Sequence, residues 1–169
     1  ELYKSDTSKP KEFIKDVQID TDFELLFPDN YINSISERLN LYNELSSTKS
    51  SDELLDFEKR LIDRFGELPV QAIDLLDSVR LKWLAKEIGL EKVILKQKRM
   101  IGYFISDQQS EFYQTEAFTK VLKYVQQNPT TSVMKEKQTK AGLRLLITFI
   151  KIDSIEVALK RLQKVLGRY

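Results

Sequence analysis

Glycine and proline are scarce in this chain, five and four in 169 residues, and they divide it into stretches of two different periodicities. Pro28, Gly66, Pro69 and Gly89 bracket stretches whose apolar residues recur every three or four positions, the period of a helix with one buried face. Beyond Gly89 the pattern shortens in places to strict alternation, the period of a half-buried strand. A chain divided in this way folds as a helical layer followed by a strand-rich half, which is the α+β class.

Each stretch carries its own start and stop signals. "VQIDTDFELLF" (17–27) alternates at Val17, Ile19, Thr21, Phe23 and Leu25 and predicts a strand ended by Pro28. Asp29 or Asn30 is expected to cap a helix over 31–46, with Ile32, Ile35, Leu39, Tyr42 and Leu45 as its apolar stripe. Ser50 and Glu53 fit a capping box for a helix over 51–65. Gly66 then suits C′, and Pro69 suits N1 of a third helix ending at Gly89, with Ile73, Leu76, Val79, Trp83 and Leu84 inward. A hairpin over 92–97 and 100–106 is expected to turn around Lys98-Arg99. A helix over 114–127 follows, with Phe118, Val121, Leu122 and Val125 on one face and Pro129 ending it. A second hairpin over 132–137 and 143–150 turns through residues 139–142. Asp153 and Glu156 fit another capping box, opening a last helix to residue 166 with Ile155, Leu159, Leu162 and Leu166 inward.

The expected architecture is an N-terminal strand and a three-helix layer, then two strand–strand–helix units forming an antiparallel sheet backed by helices. Residues 1–16 are polar and read as a linker or arm, leaving 17–169 as one domain. The chain does not begin with Met and is expected to be part of something longer.

Composition narrows the chemistry. Cysteine and histidine are both absent, which removes thiolate metal sites, disulfides, cysteine nucleophiles and the commonest general base near neutral pH. No P-loop, GxGxxG, HExxH, GxSxG or EF-hand pattern occurs. Asp74 with Asp77, and Asp20 with Asp22, are carboxylate pairs better read as surface pairs than as an acid–base couple. Neither catalytic residues nor a cofactor, metal or small-molecule ligand is expected. No apolar run approaches the roughly 18 residues of a membrane span, so no membrane association is expected either.

Charge is unevenly distributed. Residues 20–77 hold 14 acids and 5 bases, a balance of −9, whereas residues 78–169 hold 8 acids and 18 bases, a balance of +10. Such a split predicts two electrostatic faces. On the helix over 51–65, a wheel of about 100° per residue puts Leu54, Leu55, Phe57, Leu61, Ile62 and Phe65 on the core side. Asp56, Lys59, Arg60 and Asp63 fall opposite, facing solvent or a partner. Asp63 stands in the last turn, where the helix dipole disfavours a negative charge by about 0.3–1 kcal/mol, and Arg60 or Arg64 is placed to offset it. Asp56 and Arg60 are also an i,i+4 pair.

"LIDRFGELP" (61–69), followed by "LLDSVRLKWLAKEIGLEKV" and preceded by "LLFPDNYINSISERLNLYNEL", closely resembles the carboxyl-terminal domain of bacterial transcription-repair coupling factors, the Mfd family. The resemblance covers residues 17–169 and implies a cytoplasmic bacterial protein. Residues 1–16 would then tie the domain to the preceding motor region. In that family an ATP-driven translocase pushes RNA polymerase stalled on damaged DNA and recruits the excision-repair protein UvrA. The carboxyl-terminal domain implied here is regulatory rather than catalytic: it docks on the UvrB-like amino-terminal region of the same protein and covers the surface UvrA recognises. The family's docking helix carries acidic residues in an "ELIDRFG" motif. Asp63 matches its aspartate, while the glutamate position is Arg60 here, so part of the charge pattern is reversed. Asp56, Lys59, Arg60, Asp63, Arg64 and Glu67 are therefore the expected partner interface.

The alternative is a nucleic-acid-binding accessory domain using the basic hairpins 95–104 and 135–144. Lys96, Lys98, Arg99 and Tyr103 would supply contacts from the first, with Lys135, Lys137, Lys140 and Arg144 in the second.

Overall fold

Hydroxyl side chains set where four of the five helices begin. The computed structural model of the chain describes residues 12–168. In it Ser34, Ser50, Thr115 and Ser154 each accept a hydrogen bond from the backbone N–H three residues on. That satisfies one of the orphan amides of a helix start. The elements run β1 (Gln18–Thr21), α1 (Ile35–Ser46), α2 (Ser51–Phe65), α3 (Val70–Ile88), β2 (Leu90–Lys96), β3 (Arg99–Phe104), α4 (Glu116–Gln127), β4 (Ser132–Thr139), β5 (Gly142–Ile150) and α5 (Ile155–Val165). The α+β reading holds: helices come first, and later helices back a five-stranded sheet.

Two expected caps move. α1 starts at Ser34 rather than Asp29 or Asn30, because the Pro28 carbonyl already takes the amides of Tyr31 and Ile32, both at 3.0 Å, in a turn. The later start rotates the buried stripe. Leu45 is buried and Ile32 packs ahead of the helix, but Ile35 and Leu39 are 68% and 57% exposed. α5 is capped by Ser154, one residue beyond Asp153. Pro69 is the N-cap of α3 rather than its N1, and its carbonyl accepts from Ala72 and Ile73. Ile73 is exposed while Ala72, Leu76, Leu81 and Ala85 form the buried stripe. Leu122 of α4 is also exposed.

β1 is four residues long, shorter than the alternation over 17–27 suggests. The Thr21 hydroxyl donates to the Leu95 carbonyl at 2.7 Å and accepts from the Phe23 amide at 3.2 Å, which turns the chain out of the sheet. Phe23 and Leu25 still pack against the core. Of the expected linker, residues 1–11 lie outside the described residues. Within the rest Ile14 is buried and Phe13 meets Phe112 edge-on.

The strand order is β1-β2-β3-β5-β4. β2, β3, β5 and β4 pair antiparallel, and β1 adds to β2 in parallel. The first hairpin closes one residue earlier than expected: Lys96 pairs with Arg99, so Gln97 and Lys98 make the turn, both at positive φ (53° and 60°). Positive φ at both central residues is the mark of a type I′ turn, whose twist matches the strands. The second hairpin turns through Lys140 and Ala141, between the paired Thr139 and Gly142.

Two apolar clusters result. One lies between the sheet and the C-terminal half of α3, with α4 and α5, and includes Leu84, Ile88, Val93, Met100, Phe104, Ile147, Phe149 and Leu162. The other joins α1, α2 and the N-terminal half of α3 around Phe27, Leu54, Phe57, Leu61 and Leu76. α3 spans both, so it holds the α1–α2 layer against the sheet half.

Candidate functional site

α2 owes its position to a strong start and a fixed end. Ser50 accepts from the Glu53 amide at 3.2 Å, while the Glu53 carboxylate accepts from the Lys49 amide at 2.7 Å, a capping box shifted by one residue. At the other end Gly66 takes φ 90°, and the Tyr31 hydroxyl donates to its carbonyl at 2.8 Å. Burial raises the Tyr31 pKa above the ordinary tyrosine value. Leu54, Phe57 and Leu61 are buried to within 2% and form the inner face.

The six residues expected at an interface, Asp56, Lys59, Arg60, Asp63, Arg64 and Glu67, are all exposed. They do not act as one group. Arg60 bridges to Glu44 of α1 at 2.9 Å, and Arg64 bridges to Glu37. Their guanidinium groups also lie over the rings of Phe57 and Phe65, at 5.7 Å and 5.0 Å from the centroids. Both arginines therefore lean onto α1, over a shallow groove of about 270 Å³ lined by Leu41, Phe57, Leu61 and Phe65, which Asp63 also lines. Arg60 thus makes its ion pair with Glu44 of α1, not with Asp56 one turn back.

What remains facing outward is a different set. Asp56, Asp63 and Glu67 make no ion pair with any described residue. Beside the two aspartates stand Leu55 and Ile62, which the helical wheel put in the core and which are 43% and 44% exposed. The reason lies in α2's neighbours: α1 and α3 cover only the stripe through Leu54, Phe57 and Leu61, so apolar residues one position round the helix reach solvent. At i, i+4 and i+7, Leu55, Lys59 and Ile62 form one outward ridge, and Asp56 and Asp63 form the next. The arrangement is two apolar side chains beside two unneutralised carboxylates on a rigid helix. Such a face is suited to binding a complementary surface.

A second acidic region lies between the loop after β1, the start of α3 and the start of α5. Asp22, Glu24, Asp74, Asp77 and Glu156 line an open cleft of about 950 Å³. Burial first, then the charges of Asp77 and Glu156, raise the Asp74 pKa above the ordinary aspartate value. Asp77 is held by Arg80 at 2.8 Å and Glu156 by Lys160 at 3.1 Å. Partial burial leads the shift, and the like charges of Asp77 on the same helix and Glu156 on α5 add to it.

The residues named for nucleic-acid contact are spread over the sheet and its turns. Lys98 stands in the β2–β3 turn, Arg99 opens β3, and Lys96 bridges to Asp20 at 3.1 Å. Tyr103 is half-buried, with the Lys92 ammonium 5.9 Å and the Arg144 guanidinium 5.6 Å from its ring centroid. Arg144 in turn bridges to Glu91 at 3.1 Å and donates to the Phe104 carbonyl at 2.9 Å. Lys92 escaped the sequence reading. Its period-two spacing from Lys96 was the available signal, but only the β3–β5 pairing shows that the two hairpins share one sheet face.

Comparison with known proteins places the chain. The transcription-repair-coupling factor of Staphylococcus aureus (strain USA300) is 27% identical to it over 152 residues, 84% of this chain and 13% of that protein. The transcription-repair-coupling factor of Escherichia coli K12 is 41% identical over 68 residues, 40% of this chain and 6% of that protein. The chain thus spans well under a fifth of the length of the curated relatives it matches. A crystal structure of a C-terminal domain of transcription-repair coupling factor superposes with a TM-score of 0.63 over 90% of this chain and 96% of that one, at 16% identity, and shares the fold. The family model for the TRCF domain matches residues 21–115, which run from the last residue of β1 through the whole helical layer and the first hairpin, and with that match over more than half its length the chain belongs to the TRCF domain family.

Proposed function

We propose that this chain is the non-catalytic regulatory domain of a bacterial transcription-repair coupling factor, acting in the cytoplasm in transcription-coupled nucleotide excision repair. In this reading the outer face of α2 docks on the UvrB-like amino-terminal region of the same protein and masks the surface that UvrA recognises. The observation that carries it is the state of Asp56 and Asp63: exposed, without an ion pair among the described residues, and bordered by exposed Leu55 and Ile62. An apolar centre beside polar groups is the usual anatomy of a protein contact. The reversed position, Arg60, is occupied by Glu44 and so does not set a positive charge against a basic partner.

The mechanism is a tethered latch. Both halves belong to one polypeptide, so a weak contact closes at the high effective concentration that the tether supplies. Contacts led by charge give orientation and salt sensitivity more than affinity, which suits a latch that must open when RNA polymerase and DNA are engaged. The test is capture of full-length protein on immobilised UvrA, with this domain present, deleted, or carrying Asp56→Ala and Asp63→Ala. Capture rises on deletion and rises with the double substitution. Deletion without any gain in capture ends the masking mechanism; gain on deletion alone moves the contact to another face.

A further inference from the structure

The geometry points to a second surface, of opposite sign, on the face of the sheet turned away from α3, α4 and α5. We propose that it binds the phosphate backbone of single-stranded nucleic acid, independently of the α2 dock.

The alternation of the strands defines this face. Val93, Leu95, Met100, Phe104, Ile147 and Phe149 point into the core and are fully buried. Their neighbours in sequence therefore point the other way. The register lines those neighbours up across all five strands: Gln18, Lys92, Tyr103, Leu146 and Lys135 form one continuous row. On one side of it lies the pair Lys137 and Arg144, and toward the other end the pair Lys96 and Arg99. Six cations thus share a single face with Asp20 and, at the bulge before Lys92, Glu91 as the nearby acids. Asp20 takes Lys96 and Glu91 takes Arg144. Lys92, Arg99, Lys135 and Lys137 make no ion pair with any described residue, and the last three are exposed.

This pattern suits an extended polyanion. These four cations, unpaired among the described residues, are distributed over the face rather than gathered at a rim, so a linear chain of charges crossing the strands can meet several at once. Tyr103 is the aromatic of the row, but Lys92 and Arg144 already lie near its ring, so stacking of bases on it is a minor contribution. The contact is therefore to phosphates and is blind to base identity.

Fluorescence anisotropy of a labelled thymidine oligonucleotide of about 20 residues, titrated with the whole chain over a range of salt, tests this. Four phosphate contacts predict that log affinity falls with log salt with a slope of about −2.8. Lys135→Ala with Lys137→Ala, both at exposed positions, brings the slope to about −1.4 with an unchanged circular dichroism spectrum. Lys92→Ala, next to the β1 end of the row, lowers its magnitude by about 0.7 on its own. An adenine oligonucleotide of the same length binds within a few-fold of the thymidine one. Absence of binding at low salt, or a slope untouched by these substitutions, overturns the proposal. So does displacement of the oligonucleotide by an equal concentration of polyglutamate, which assigns the face to an acidic protein instead.

Discussion

Arg60 lies 2.9 Å from Glu44, and this bridge draws the arginine off the outer face of α2 and onto α1. The consequence is that two neighbouring charges of one helix have separate roles. Arg60 fastens α2 to α1; Asp63 makes no ion pair among the described residues. Both members of the bridge are well exposed, at 60% and 40% of their side-chain surface, so its contribution to stability is small. A double-mutant cycle with Arg60→Ala and Glu44→Ala should give a coupling of about 0.2–1 kcal/mol in urea unfolding. In the capture assay with full-length protein, Arg60→Ala should change UvrA binding much less than Asp63→Ala does. Equal effects would mean that Arg60 leaves Glu44 to reach the partner.

Asp74 gives a dependence on pH whose direction is fixed by its surroundings. Burial, then Asp77 and Glu156, lift its pKa above the ordinary value near 4, so the folded state holds this proton to a higher pH than the unfolded chain does. The favourable contribution is complete below the unfolded value and is lost as pH rises through the folded one. Asp74→Asn removes the penalty that remains at neutral pH. The gain is at most about 0.5 kcal/mol because the site is open to solvent. Thermal unfolding followed by circular dichroism should show the variant about 1–2 °C more stable at neutral pH, and the difference should close near pH 3. A variant less stable at neutral pH would show that the Asp74 carboxylate is held by a favourable contact instead.

Much of the fold was legible because its signals are local. Ser50 with Glu53, Gly66, Gly89 and Pro129 fix helix ends through backbone chemistry that a few residues contain, and each lies at or within a residue of the expected boundary. What was not legible depends on partners distant in sequence. The wheel could not say that α1 and α3 cover only one stripe of α2, so Leu55 and Ile62 read as core. It could not show Ile35 and Leu39 turned outward, because that follows from Pro28 holding the Tyr31 and Ile32 amides in a turn. The acidic face was visible as composition, whereas the ties of Arg60 and Arg64 to α1 needed the packing of two helices. The meeting of the two basic hairpins rests on β3 pairing with β5, a contact between residues more than 40 positions apart.

Gly89 joins the helical layer to the sheet, and two observations make it intolerant of a side chain. It ends α3 in the left-handed region at φ 87°, and a Cβ there would lie 2.3 Å from Cε2 of Phe112. Phe112 is itself nearly fully buried, within a cluster of rings that includes Phe13, Tyr113 and Phe118. It has little room to give. Gly89→Ala should cost about 1–2 kcal/mol for the left-handed backbone and another 1–3 kcal/mol for overpacking. Urea denaturation should show a midpoint shift of that size with little change in slope. At Gly66 a Cβ meets nothing within 4 Å, so Gly66→Ala should lose only what its own backbone, φ 90° and ψ −166°, costs a side-chain-bearing residue, about 1–3 kcal/mol.

Leu54 and Leu55 are adjacent leucines of α2 with opposite duties, and the contrast separates stability from docking. Leu54 is fully buried among Phe57, Leu61 and Leu76; Leu55 is 43% exposed beside Asp56. Truncating the first opens a cavity, so Leu54→Ala should destabilise by about 2–5 kcal/mol. Truncating the second trims a side chain nearly half open to water and leaves no closed cavity, and Leu55→Ala should cost at most about 1 kcal/mol. The order reverses for the latch. If the ridge of Leu55 and Ile62 provides the apolar centre of the dock, Leu55→Ser with Ile62→Ser should release the UvrA-binding surface in full-length protein while shifting the unfolding midpoint of this domain less than Leu54→Ala does. Salt discriminates further. The serine pair removes a contribution that salt does not screen, so the residual docking should keep the parent's salt dependence, whereas Asp56→Ala with Asp63→Ala should reduce it. A serine pair that masks UvrA as well as the parent does would place the dock on some face other than α2.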